Sequence, residues 1–142
     1  MIAVAFCTVL NLAFACYFSY TSLRDVYITK TATHRSETIL SDASRIPEDE
    51  RDSVIGYKII AWDYLSADII PCYKYYTLQD IWTITNPQIM TEFLDWLETE
   101  KPVWVLIQSK EKDTAVLDIL DKSYVFQFGN EYISFFRVNE SD

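Results

Sequence analysis

The run Val103-Trp104-Val105-Leu106-Ile107 constrains the fold more than any other stretch of this chain. Successive side chains of a strand point to opposite faces, so a run with no polar position has no face to give to water and must be covered on both sides. That predicts a central strand inside a layered α/β domain. The segment before it reads as a helix that closes at Lys101-Pro102. Asn86 is its cap, Pro87 takes the first helical position, and Ile89, Met90, Phe93, Leu94, Trp96 and Leu97 form its apolar stripe.

The remaining elements follow from the same kind of reading. Val54 to Ile60 is a second apolar strand candidate, with Gly56 permitting a close backbone approach. Ala61 to Ile70 reads as a short helix, since Trp62, Leu65 and Ile69 share helical spacing and Pro71 ends it; Cys72 to Leu78 then reads as extended. Asp113 caps a short helix carrying Val116, Leu117 and Leu120. Tyr124 to Phe128 and Tyr132 to Val138 flank Gly129-Asn130-Glu131, a hairpin signal in which Gly129 and Asn130 tolerate positive φ. The alternation predicts a small three-layer α/β domain with a mostly parallel sheet and a C-terminal β-hairpin.

At 142 residues, half of them hydrophobic, the chain suffices for one domain with a real core and not for two ordinary ones; 2 Gly and 4 Pro argue against a disordered protein. Residues 2–20 carry no charge over 19 positions, and Asn11 is the one strongly polar side chain among them. At ~1.5 Å of rise per residue that length matches a hydrocarbon core of ~30 Å. The expected organisation is therefore a transmembrane helix over 1–22, a connector over 23–35 and a soluble α/β domain over 36–142. That domain opens with an amphipathic helix from Ser36, its cap, to Ala43, interrupted at Ile46-Pro47.

A secretory signal peptide is the competing reading of the N-terminus. Ala13-Phe14-Ala15 resembles a small-x-small cleavage site and Cys16 follows it as a candidate lipidated cysteine, but no basic residue precedes the apolar run. A buried core helix is the third reading, and the uninterrupted length counts against it. Arg24, Lys30 and Arg35 follow the run, which by the positive-inside rule alone places the soluble domain in the cytoplasm; earlier loops of a longer protein would set the opposite, extracytoplasmic, topology.

The chemistry is narrowed mainly by exclusion. The net charge is -9, with residues 1–35 at +2 and the rest at -11, and so acidic a domain repels phosphate backbones; nucleic acid is not an expected partner. Cys7, Cys16, Cys72 and the single histidine, His34, have no metal-site spacing, so no metal or other cofactor is expected. Cys72 reads as a structural thiol and His34 as a solvated residue of the connector. The acidic run Glu48-Asp49-Glu50-Arg51-Asp52 reads as a solvated turn, because neighbouring exposed carboxylates diverge. No catalytic residue is assigned. A hydrolase or transferase using Asp63, Asp68 or Asp80 requires two carboxyls ~5–10 Å apart around a substrate, a distance that spacing alone does not establish.

The stretch Trp62 to Trp82, WDYLSADIIPCYKYYTLQDIW, concentrates aromatic and polar side chains of the kind that form binding surfaces and tight corners. Ligands of open α/β sheets favour the carboxyl ends of strands, which makes Lys58, Trp62, Asp63, Tyr73, Lys74, Gln79, Asp80 and Trp82 the candidate glycan or interaction surface. The bland alternative is that Tyr73, Tyr75 and Trp82 pack a corner and Lys74 snorkels. IPEDERDSVIGY (Ile46 to Tyr57) followed by ADIIPCYKYYTLQDIW (Ala67 to Trp82) resembles the extracytoplasmic C-terminal region of bacterial polytopic glycosyltransferase-like membrane proteins of the GT-C type. The resemblance implies a non-catalytic domain that follows many membrane helices and helps position a glycan or a lipid-linked sugar donor. Its partner is then the upstream membrane region of a parent protein dependent on polyprenyl-phosphate sugar. The acidic catalytic loop of such enzymes has no counterpart here. An independent single-pass or lipid-anchored binding protein is the alternative.

Overall fold

A computed structural model describes the backbone from Ile2 to Asn139, with the side chains of residues 13–81 and 83–139. Helices α1 (Ile2–Ala43), α2 (Ala61–Ala67), α3 (Asp80–Thr85), α4 (Pro87–Glu100) and α5 (Thr114–Ser123) accompany strands β1 (Val54–Tyr57), β2 (Trp104–Gln108), β3 (Tyr124–Gly129) and β4 (Ile133–Val138). A 3-10 turn, Glu48–Ser53, precedes β1. The chain divides into two compact units, Met1–Arg35 and Ser36–Asp142.

In the first unit α1 is helical throughout, so the expected connector 23–35 is not a loop. No Gly or Pro occurs before Pro47, and nothing in the sequence breaks the helix until Ile46-Pro47 does. Phe14, Tyr17, Phe18, Tyr20, Leu23, Val26, Tyr27 and Ile28 are all exposed. Among the described residues no helix is long and apolar enough to cross a membrane. The predicted span, 1–22, falls in good part on side chains that lie outside them.

The second unit is built on a sheet of order β1-β2-β4-β3. β1 pairs parallel with β2, Val54 opposite Trp104 and Tyr57 opposite Ile107. β4 pairs antiparallel with both β2 and β3. The expectation of a mostly parallel sheet is thus corrected to a mixed one: β4 turns back from β3 and inserts between it and β2, forming a split β-α-β around α5. The predicted C-terminal hairpin is present.

β2 is buried from Trp104 to Ile107, as its apolar run requires. Alternation sends Trp104 and Leu106 into one core with Ile39, Ala43, Ile46, Tyr64, Ile133 and Phe135. Val105 and Ile107 enter the opposite core with Ile55, Tyr57, Phe93, Leu97, Val116 and Leu120. The end of α1 and α2 therefore cover one face of the sheet, and α4 and α5 the other. The indole N–H of Trp104 needs a partner at this depth and donates to Glu50 Oε2 at 2.6 Å, while Arg137 Nη2 bridges to Glu50 Oε1 at 2.8 Å. Within the acidic turn Glu50 is thus an inward anchor rather than a solvated charge. The Arg137 hydrogen bond, opposed by desolvation and helped by Trp104, holds its carboxyl below the ordinary value of 4.5.

Asn86 and Asp113 cap as expected, Asn86 Oδ1 accepting from Gln88 N (3.3 Å) and Asp113 Oδ1 from Ala115 N (3.1 Å). Three local expectations differ. Ser36 lies inside α1 and caps nothing; its hydroxyl accepts from Trp62 Nε1 (2.9 Å) and Ser66 Oγ (3.0 Å). Cys72 to Leu78 is irregular, joined to β1 by Cys72 N donating to the Val54 carbonyl at 2.9 Å. The hairpin loop does not use positive φ at Gly129 or Asn130. Instead Asn130 Oδ1 accepts from the amides of Tyr132 (2.8 Å) and Ile133 (3.0 Å), and a Cβ on Gly129 would meet the Ile133 carbonyl at 2.9 Å.

Gly56 carries the close approach expected of it. The Tyr64 hydroxyl donates to its carbonyl at 3.2 Å, and a Cβ there would lie 2.5 Å from Ile59 Cγ1 and 2.6 Å from the Tyr64 hydroxyl. Gly56→Ala should therefore destabilise the fold by about 1–3 kcal/mol in urea unfolding; a midpoint equal to that of the parent chain would contradict this packing.

Candidate functional site

The carboxyl ends of the parallel pair β1 and β2 gather a polar cluster. β1 stops because Lys58 turns to a left-handed φ of 57°. Its carbonyl accepts from Gln108 Nε2 at 3.0 Å, at the end of β2. The ammonium meets Asp80 Oδ1 at 2.7 Å and Glu111 Oε2 at 3.3 Å, with the Lys58 side chain 16% and the Glu111 side chain 7% exposed. Glu111 Oε1 also accepts from the amides of Lys112 and Asp113, both at 2.8 Å, which fixes the β2–α5 loop. Asp113 Oδ2 takes the Tyr57 hydroxyl at 2.8 Å. One cation among three carboxylates leaves the cluster negative, which disfavours a phosphate ligand.

Burial works against the charge on Lys58, but the hydrogen bonds it donates to Asp80 and Glu111 outweigh it and lift the pKa above the ordinary 10.5. The group is an ammonium at neutral pH and no general base. Burial, then the bond to Asp113, pushes the Tyr57 phenol far up, the reverse of what an activated nucleophile needs. Burial likewise pushes the Cys72 thiol up to about 11, so it is protonated at neutral pH even though the residue keeps some exposure. Among the described residues no set of three His, Cys, Asp or Glu converges on a metal position.

A second region lies along the loop 72–78. On one side, Cys72, Tyr73, Lys74, Glu92, Asp95 and Trp96 line an open groove of about 560 Å³. Tyr73 and Trp96 pack with centroids 4.4 Å apart and their planes tilted by 36°, and Tyr73 also packs on Phe93 at 5.6 Å. Lys74 Nζ meets Glu92 Oε2 at 2.6 Å on the rim. That hydrogen bond raises the lysine pKa and lowers the carboxylate's, yet the pair stays solvent-exposed and screened. A smaller groove of about 330 Å³ lies over Tyr75, Tyr76, Leu78 and Ile89. A third, of about 380 Å³, is apolar and lies between α2 and the loop, lined by Leu65, Ile70, Tyr73 and Tyr76 among others. The Tyr73 hydroxyl is buried without a hydrogen-bond partner among the described residues.

The predicted surface is thus divided. Lys58 and Asp80 come together at the strand ends. Tyr73 and Lys74 share the loop groove. Trp62 is exposed on α2 and tied to Ser36, whereas Asp63, expected on the surface, is 1% exposed in the core. Gln79 folds back, its Nε2 donating to the Thr77 carbonyl at 3.1 Å. Trp82 belongs to α3, and its side chain lies outside the described residues. Gln108, Glu111 and the cluster role of Asp113, expected only as a helix cap, went unpredicted although a signal existed: they follow the strand Val103 to Ile107, and the carboxyl-end rule points to them directly.

The arrangement offers an open groove lined by Tyr73 and Trp96 together with Lys74, Glu92 and Asp95, and separately a net-negative clasp that ties α3 and the β2–α5 loop to β1. No protein family, curated protein or solved structure matches the chain.

A lysine pKa raised by folding contributes stability that is fully present below the ordinary value of 10.5 and is lost as pH climbs through the raised folded-state value. Lys58→Met should then lower the unfolding free energy by roughly 1–3 kcal/mol at neutral pH, because it strands the buried Glu111 carboxylate. It should also remove this alkaline contribution. Urea titrations at neutral pH and above about pH 10.5 check both, and unchanged stability at neutral pH would refute the clasp.

Proposed function

We propose that the chain is a membrane-anchored, non-catalytic binding domain. Residues 2–20 form the membrane helix, the α/β domain lies on the extracytoplasmic side, and the loop groove takes a glycan or the sugar of a lipid-linked donor. The observation that carries the reading is the groove between the loop 72–78 and α4. The half-buried Trp96 ring, backed by the buried Tyr73, offers a face on which a sugar's C–H surface packs, and Lys74, Glu92 and Asp95 offer donors and acceptors for its hydroxyls. The uncharged run of 19 residues, helical along its length, supports the anchor. No paired nucleophile and base emerges from the shifted groups, so the reading assigns no reaction to this chain.

The resemblance to glycosyltransferase-like membrane proteins of the GT-C type supports placing the domain beside the membrane region of a larger sugar-transferring protein. The two cores draw their members from between Ile39 and Val138. That self-contained packing favours a second reading, an independent single-pass or lipid-anchored binding protein.

Both readings share the groove, which is testable on the full chain in lipid nanodiscs titrated with a panel of neutral and amino-sugar oligosaccharides. Binding should be detected by calorimetry, and Lys74→Ala and Trp96→Ala should each weaken it about tenfold, or ~1.4 kcal/mol, with Lys74→Ala leaving the unfolding transition in place. Failure of the folded chain to bind any member of the panel at ~10 mM, a concentration that detects even weak ligands, would overturn the proposal.

A further inference from the structure

The two edges of the sheet are treated differently. At the β1 edge the loop closes over the strand, with Cys72 N donating to the Val54 carbonyl at 2.9 Å, and all four residues of β1 are buried. At the other edge β3 pairs with β4 alone, and Val125 and Phe126 are 48% and 56% exposed. Native edge strands are ordinarily blunted by charge or proline. Ser123 to Asn130 has neither over eight positions, in a chain of net charge -9. Its interruptions are a register shift between Phe126 and Phe128 and the Gln127 amide, which donates to the Val125 carbonyl at a long 3.4 Å.

We infer that β3 is a self-association edge, pairing antiparallel with β3 of a second copy to make one eight-stranded sheet. The uncharged strip is where two acidic copies approach without placing like charges opposite one another. The symmetry fits as well. A two-fold axis relating antiparallel edge strands stands normal to the sheet, so both copies keep the same sheet face on the same side. That face is the one packed against Ile39 and Ala43 of α1. Both copies therefore present residues 36–43 on one side of the joint sheet. Anchoring confines the copies to a surface and raises their effective concentration. This last step rests on the anchoring reading; the strand pairing does not.

Sedimentation equilibrium of the full chain in detergent, with the chain far below the micelle concentration, tests the pairing. The parent should be a dimer. Val125→Lys and Phe126→Lys should each weaken dimerisation at least tenfold, with far-UV circular dichroism retained, while Ile84→Lys, on exposed α3, should not. Hydrogen exchange of the parent supplies a reading independent of the variants: the amides of 124–129 directed away from β4 should be protected at high concentration and lose protection on dilution, while those paired with β4 stay protected. A monomer at every concentration would overturn the inference, as would a dimer indifferent to both β3 substitutions. Flotation of the chain with liposomes tests the anchor separately, since a chain that dimerises through β3 without floating refutes the anchor and leaves the pairing standing.

Discussion

The burial of β2 on both faces is the constraint from which the rest of the second unit follows. Trp104 and Leu106 cannot reach water without exposing one core, nor Val105 and Ile107 without exposing the other. Helical cover on both sides is therefore obligatory, and the connections must carry it. The link from β1 to β2 supplies α2 and α4, that from β2 to β3 supplies α5, and the end of α1 completes the first face. Polar groups collect where the buried strand ends. Glu50 receives the Trp104 indole near one end, and Gln108 begins the clasp at the other.

That constraint was legible in the sequence because it is local: an apolar run, a cap at Asn86 with Pro87 behind it, a cap at Asp113 and a glycine with no room for a side chain at Gly56. What was not legible depends on pairs distant along the chain. Whether Ser36 caps a new helix or lies within an old one turns on whether residues 23–35 stay helical, and their polar composition reads equally well as a connector. The mixed sheet arises because β4 slots between β2 and β3, and hairpin signals specify the turn but not the side on which the pair docks. Asp63 looked like surface chemistry beside Trp62, yet one helical step turns it about 100° from that exposed indole and into the core.

The candidate site divides along the same line. Lys58 and Asp80 were picked from the sequence and meet at 2.7 Å, but their third partner, Glu111, lies 53 residues beyond Lys58. Once it is included, the cluster is one ammonium held among carboxylates with a raised lysine pKa, which suits a structural clasp better than a binding pocket. In the aromatic loop Tyr73 follows the corner-packing alternative: it is buried against Phe93 and Trp96, and that packing floors the groove. The proposed recognition of a sugar rests on this ring surface and the exposed, salt-screened ion pair on its rim.

The central claim is that recognition resides in the loop groove and the strand-end cluster is structural. An NMR titration of the isotope-labelled chain with a binding oligosaccharide separates the two directly. The account predicts shifts concentrated at Tyr73, Lys74, Glu92, Asp95 and Trp96, with Lys58, Gln108, Glu111 and Asp113 unmoved. Saturable shifts centred on Lys58 and Glu111, with the loop groove silent, would contradict it.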